Sequence, residues 1–188
     1  MTLPVLVLAS ESPRRRELLT IAGLPFTIRA RPVEERRDAS ESPESYVERL
    51  ARSKAEAAFE DGDEVVLGAD TVVVLDGEVL EKPVDDGDAR RMLKKLSGRE
   101  HEVITGICLY HAAGAIVDRE STRVRFAVMD SDEIERYVAS GEPRDKAGAY
   151  AIQGLASKFV ERIDGCYFNV MGLPLARVYR HLKYLAGS

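Results

Sequence analysis

The chain is short of the residues on which several common chemistries depend. Of its 188 residues only two are cysteine, Cys108 and Cys166, and three are histidine, His101, His111 and His181. The cysteines lie far apart, each within an apolar segment. That placement reads as two buried free thiols in a reducing compartment rather than a disulfide. There is no Cys-x-x-Cys pair and the histidines have no metal-ligand spacing, so each is read as a surface or strand residue. No apolar run approaches membrane-spanning length. No basic segment followed by an apolar stretch and a small-residue cleavage site opens the chain. The expectation is a cytoplasmic protein with neither signal peptide nor membrane contact. Positive charge is in deficit as well: 27 lysines and arginines stand against 32 acidic residues, for a formal charge of −5. The body as a whole therefore repels nucleic acid and anionic lipid. The Gly-x-x-x-x-Gly-Lys phosphate loop, the Gly-x-Gly-x-x-Gly fingerprint and the Gly-x-Ser-x-Gly elbow are all missing.

What is present is an ordinary globular composition, 45% hydrophobic and 31% charged, enough to bury a core. Its length predicts a single domain over 1–188, or one domain with a lobe. The most unusual stretch is residues 6–17. An apolar run, Val5 to Ala9, predicts a buried strand; Ser12 suits a helix N-cap and Pro13 the first helical position. Arg14, Arg15 and Arg16 then fall in the first turn, where the helix dipole makes each cation unfavourable by roughly 0.3–1 kcal/mol. An anion seated at that helix end accounts for them. So does a solvated basic patch balanced by Glu11 and Glu17, and the stretch alone leaves both open.

Farther along, Phe26–Ala30 predicts a second strand and residues 32–42 a loop carrying Glu34 and Glu35. Ser42-Pro43 opens a helix to about residue 60, with Lys54 beside its apolar stripe, either snorkelling to solvent or aimed into a cleft. Residues 64–75 are almost wholly apolar and predict a central strand. Asp70 interrupts it, a carboxylate costly to bury unless paired, metal-bound or placed at a break, and Gly68 makes a bulge plausible just before it. Asp76-Gly77 predicts a hairpin whose return would set Lys82 opposite about position 71, next to Asp70. A helix follows around Ala89–Leu96, then strands over 103–110 and 116–128. A short helix capped at Asp130 or Ser131 comes next, then an irregular glycine- and alanine-rich segment over 142–158. A strand from Phe159 and a final helix opened by Pro174 complete the order. The expected class is α/β, a mixed twisted sheet with flanking helices. Cations able to neutralise phosphates, with carboxylates able to hold a divalent ion or activate water, suit a nucleoside triphosphate with Mg²⁺.

The segment Leu8–Leu19 resembles the signature of the Maf family, also called septum formation inhibitor Maf. Further blocks resemble the family in order: Lys54-Ala-Glu-Ala, Gly68-Ala-Asp-Thr-Val-Val73, Glu81-Lys-Pro83, Leu96-Ser-Gly98 with His101, Glu142-Pro with Asp145–Tyr150, Ile152-Gln-Gly154, and Asn169 with Gly172–Leu175. The resemblance implies an elongated two-lobed structure with a central cleft, similar to inosine triphosphate pyrophosphatases. It also implies hydrolysis of a nucleoside triphosphate between the α and β phosphates with Mg²⁺ or Mn²⁺. Gln153 in its Ile-Gln-Gly setting matches the dTTP/UTP branch, and an amide can both donate to and accept from a uracil or thymine edge. Carried over by position, Asp70 is the proton acceptor, Glu35 assists catalysis or holds metal with Asp70, and Lys82 belongs with the catalytic group at phosphate. Ser10, Arg15 and Lys54 contact phosphate, while Arg14, Thr71 and Gln153 set specificity. Arg16 is left at the surface. The partner is thus a nucleotide, with no nucleic acid or membrane, and the resemblance suggests a homodimer. A non-enzymatic cell-division regulator or nucleic-acid-binding protein is the alternative, favoured only by the arginine patch. Two departures, Ala156-Ser157 and Met171, fall outside the proposed catalytic groups.

Overall fold

The structure, a computed structural model, describes residues 4–38 and 40–187. In order these form β1 (Val5–Leu8), α1 (Pro13–Ile21), β2 (Phe26–Ile28), α2 (Pro43–Ala58), β3 (Glu64–Leu75) and β4 (Glu78–Leu80). There follow α3 (Asp86–Leu96), β5 (Glu100–His111), β6 (Gly114–Phe126), α4 (Ser131–Ala139), β7 (Val160–Asp164), α5 (Tyr167–Val170) and α6 (Leu175–Gly187). Three short 3-10 turns occupy 142–159, the segment read as irregular. The strands make a seven-stranded sheet in the order β2-β1-β3-β5-β6-β7, with β4 added to β3. β1 runs parallel to β2 and β3, whereas β3–β4 and β6–β7 are antiparallel, so the sheet is mixed as expected. None of the described helices is long and apolar enough to cross a membrane.

The chain divides into two compact units, and β3, β5 and β6 each contribute to both. The first comprises 1–70, 105–120 and 172–188. Its centre is β1, parallel-paired to β3 with Leu8 opposite Leu67. Val7 and Val66 of these strands pack with Ala51, Ala55 and Ala58 of α2 and with Cys108 of β5 in one buried cluster. Small residues on α2 matter here because the helix lies almost on the strands. A Cβ at Gly68 would sit 2.0 Å from the Ala51 carbonyl oxygen, and one at Gly106 would sit 2.4 Å from that of Val47. Gly68 is therefore a site of close backbone approach, and β3 runs unbroken through it where a bulge was expected. On α6, Arg177 binds Asp118 and Glu120 of β6 at 3.1 and 2.5 Å, and His181 binds Asp118 at 2.8 Å.

The second unit comprises 71–104 and 121–171. Its hairpin turns at Asp76 and Gly77, both with positive φ, as the Asp-Gly pair predicts. α3 and α4 pack on each other and begin as good helices do. Asp85 caps α3, with Asp86 and Asp88 in its first turn, and Asp130 caps α4 in a reciprocal box with Glu133. Phe126, Tyr150 and His101 form a buried edge-to-face cluster with ring centroids 4.8–5.4 Å apart. His101 is thus a strand residue of β5, one of the two expected readings, and a buried one. The one-turn α5 carries buried Asn169, whose amide donates to the Val103 carbonyl and to Thr122 Oγ1, both at 2.9 Å. Both cysteines are free thiols as expected, Cys108 fully buried and Cys166 half-buried.

Candidate active site

In the first unit β1 ends at Leu8, opposite Leu67 of its parallel neighbour β3, which runs on past it to Asp70 and beyond. Ala9 N–H donates to the Leu67 carbonyl at 2.9 Å, and the register carried on from Leu8–Leu67 sets Ser10 beside Ala69, next to Asp70. The carboxyl ends of parallel strands are where open α/β sheets place ligands. α1 starts from this edge. Ser12 occupies its N-cap position, but its side chain makes no capping bond, and no acidic residue lies in the first turn. Instead the Ser12 N–H donates to Ser10 Oγ at 3.2 Å. α1 thereby lacks the side-chain cap and the carboxylates that settle the starts of α3 and α4.

Of the three arginines, Arg16 is exposed, Arg14 half-buried and Arg15 buried. The Arg15 guanidinium donates through Nη1 to Ser10 Oγ at 3.2 Å and through Nε to the Gly172 carbonyl at 2.8 Å. Burial lowers its pKa; the Asp70 charge raises it again, Arg14 lowers it and Glu35 raises it. A buried cation with two carboxylates in its field is an electrostatic environment built for charge.

Lys54 is the hinge of that environment. Gly68 brings α2 close enough for Lys54 Nζ to reach Asp70 Oδ1 at 2.7 Å, and the same nitrogen meets Glu35 Oε1 at 2.8 Å. The Lys54 and Asp70 side chains are 14% and 13% exposed, whereas Glu35 is 52% exposed. Asp70 is thus a paired carboxylate in an unbroken strand. Its ion partner is Lys54, where the hairpin reading pointed to Lys82. The hairpin register itself is as expected, since Val73–Leu80 and Leu75–Glu78 extrapolate to 71 opposite 82, but the pairing stops at Leu80. The loop holding Glu35 is pinned to α2. The Tyr46 hydroxyl donates to the Glu35 carbonyl at 2.6 Å, and Arg49 binds both Glu41, at 2.7 and 2.8 Å, and the Arg36 carbonyl, at 3.1 Å. Sequence reasoning missed Tyr46 and Arg49 as anchors, reading Tyr46's neighbours only as an apolar stripe.

Six of the nine expected site residues, Ser10, Arg14, Arg15, Glu35, Lys54 and Asp70, fall in this first unit. Thr71, Lys82 and Gln153 belong to the second. There Thr71 is half-buried directly after Asp70, and Lys82 is exposed just beyond β4. Gln153 is exposed in a tight turn closed by Gly154 N–H donating to the Ala151 carbonyl at 3.0 Å. That turn follows a stretch in which Gly148 and Ala149 both have positive φ.

A divalent cation is compatible with the first-unit residues in a limited way. Glu35 and Asp70 converge on one ammonium nitrogen, so a single cation can face both. No group of three or more His, Cys, Asp or Glu suited to a metal occurs among the described residues. Two carboxylates are what Mg²⁺ ordinarily takes from protein when substrate phosphates and water complete its shell.

A family model described as Maf-like protein matches residues 5–185. A dTTP/UTP pyrophosphatase of Anaeromyxobacter dehalogenans strain 2CP-C is 54% identical over 184 residues, covering 96% of this chain and 93% of that protein. Proteins of the same description from Vibrio cholerae and Koribacter versatilis are 53% and 52% identical. They cover 93% and 95% of this chain, and 95% and 93% of their own lengths. In fold, the chain is similar to the Ham1 protein of Staphylococcus aureus, with a TM-score of 0.53 at 15% identity over 97% of this chain and 98% of that one.

Proposed function

The chain belongs to the Maf-like protein family, and we propose that it hydrolyses dTTP and UTP to the nucleoside monophosphate and pyrophosphate. The observation that carries the reading is the Glu35–Lys54–Asp70 group, with Asp70 in β3 past the end of β1 and both carboxylates in the field of Arg15. Cleavage between the α and β phosphates requires a base for water and neutralisation of the charge on the departing pyrophosphate. Asp70 is the base. Lys54 holds its Oδ1 at 2.7 Å, fixing the carboxylate's orientation, and the other oxygen takes the proton from water. Ser10, Arg15, Lys54 and Lys82 bind phosphate oxygens, and the dipole of α1 adds partial positive charge. Glu35 and Asp70 would hold a divalent cation, Mg²⁺ or Mn²⁺, bound with the triphosphate. When bound it supplies charge neutralisation of the phosphates. Thr71, Gln153 and Arg14 choose the base. The free thiols Cys108 and Cys166 suit a reducing cytoplasm, and a homodimer is the assembly proposed from the family resemblance.

A nucleotide panel with pyrophosphate and monophosphate both quantified tests the reading. Equimolar pyrophosphate and monophosphate from UTP and dTTP are expected, with Asp70→Asn slowing release about 10²–10⁴-fold, the range of general-base catalysis. Orthophosphate as the product, or wild-type rates in Asp70→Asn, would refute it. The alternative of a nucleic-acid binder draws no support from the arginines, because Arg15 is buried and only Arg16 is exposed.

A further inference from the structure

The turn that carries Gln153 is held from both sides by one carboxylate. Glu142 Oε2 accepts directly from the Leu155 N–H at 3.0 Å. Glu142 Oε1 accepts from the Tyr137 hydroxyl at 2.8 Å, and that hydroxyl in turn accepts from the Ala151 N–H at 3.2 Å. Ala151 and Leu155 stand two residues before and two after Gln153, and the turn between them is closed by Gly154 N–H donating to the Ala151 carbonyl at 3.0 Å. The carboxylate lies flat against this turn. A Cβ at position 154 would fall 2.3 Å from Oε2 and 2.6 Å from both Cδ and Oε1. Glycine at 154 is therefore the condition for Glu142 to reach Leu155. Tyr137 is buried in the core, and its ring lies edge-on to Phe159 at 6.0 Å. Gln153 itself is exposed and bonded to neither. The surroundings thus fix the backbone on either side of an amide side chain and leave that side chain outward.

We infer that Glu142, acting directly and through Tyr137, is a positioning residue that fixes the Gln153 turn and so sets the enzyme's discrimination among nucleotide bases. The inference deepens the proposed function and rests on the base-reading role given there to Gln153. An amide separates uracil or thymine from other bases only if its donor and acceptor ends stand at a fixed place and angle. A free glutamine turns about its side chain, so its discrimination depends on a backbone that does not also move. Glu142 supplies that rigidity while touching no base.

The test compares Glu142→Ala, Glu142→Gln, Gln153→Ala and the double variant Glu142→Ala/Gln153→Ala with the wild type. The readouts are kcat and KM for UTP and GTP, together with amide hydrogen exchange at Ala151 and Leu155. Glu142→Ala is expected to speed exchange at both amides. It should lower the ratio of kcat/KM for UTP over GTP about tenfold, mostly through KM, as loss of the carboxylate's hold on the turn would. Glu142→Gln keeps an acceptor for Leu155 and should recover part of the ratio. The double variant should be no worse than Gln153→Ala, because the two residues act on one contact. A merely structural role would lower the active fraction for every nucleotide alike and leave the ratio unmoved, which would overturn the inference. Loss of the ratio in Gln153→Ala but not in Glu142→Ala would overturn it while leaving the base-reading role of Gln153 standing. An unchanged ratio in Gln153→Ala would remove that role, and the inference with it.

Discussion

Mild acid should destabilise this protein through one residue, His101. Its ring is buried in the second unit, with Phe126 and Tyr150 edge-on at 5.0 and 5.4 Å. Nε2 is 2.8 Å from the Tyr150 hydroxyl, and among the described residues Nδ1 has no hydrogen-bond partner. Whichever tautomer is present, protonation would set a full charge among aromatic rings with no carboxylate to meet it. Burial accordingly pushes the His101 pKa down from 6.5 to about 4. Between those values the unfolded chain binds a proton that the native protein refuses, so stability rises with pH across the window and is fully present above 6.5. One proton at about 1.4 kcal/mol per pH unit makes the loss about 2 kcal/mol by pH 5 and about 3 kcal/mol below pH 4.

Urea unfolding at pH 7.5 and pH 5 measures this, and a variant isolates it from other titrating groups. His101→Phe/Tyr150→Phe removes both polar partners together, so neither is left buried without the other. The wild type should lose about 2 kcal/mol more than the double variant between the two pH values. Equal losses in the two proteins would show that His101 is neutral in neither state's favour, and would refute the burial argument. Tyr150, whose own pKa burial raises, stays a neutral hydroxyl throughout and adds no slope in this range.

Two further substitutions test how the first unit holds its charges. Gly68→Ala would put a Cβ 2.0 Å from the Ala51 carbonyl oxygen, backbone that cannot step aside without moving α2, so a loss of about 3 kcal/mol in urea unfolding is expected; an unchanged midpoint would mean the helix is not seated there. Lys54→Met leaves Asp70 and Glu35 without the ammonium they share, which should cost about 2 kcal/mol at neutral pH. Adding Asp70→Asn to it should return more than half of that loss, and no recovery would locate the cost elsewhere.

Much of this architecture was legible in the sequence because it rests on local chemistry. Pro13 and Pro43 start helices, Asp76-Gly77 turns a hairpin, and the apolar run at 64–75 becomes β3 residue for residue. The candidate site was less legible where a contact depends on how closely two elements approach. The meaning of Gly68 was a helix laid on a strand, which a one-dimensional pattern presents only as an interruption. For the same reason Asp70 was matched with Lys82 along the hairpin, when its ion partner reaches it from α2. His101 is a strand residue, as its reading allows, but its burial depends on the packing of Phe126 and Tyr150, which no local pattern shows. Glu142 stood in plain sight before Pro143, but its role depends on a turn that begins nine residues later, at Ala151.

Several exceptions to local rules meet in the first unit, and their meeting is a reason to look there for function. α2, α3 and α4 start with a side-chain cap and an acidic first turn. α1 starts with neither, and carries arginines against its dipole, one of them buried. A carboxylate, Asp70, sits in a largely apolar strand of the same unit, and a lysine, Lys54, reaches from α2 to meet it. A chain selected only for stability would replace these with a capped helix and an apolar strand, since a buried ion pair is often no better than well-packed hydrocarbon. Their persistence together is explained if the first unit is arranged for charges that arrive with a ligand. In such an arrangement the carboxylates would meet a cation, and the arginines and the helix end would meet phosphate. The same reasoning separates Arg15 from Arg14. Arg15 is buried and tied to Ser10 and to the Gly172 carbonyl, a fixed part of the unit's structure, while Arg14 beside it is half-buried.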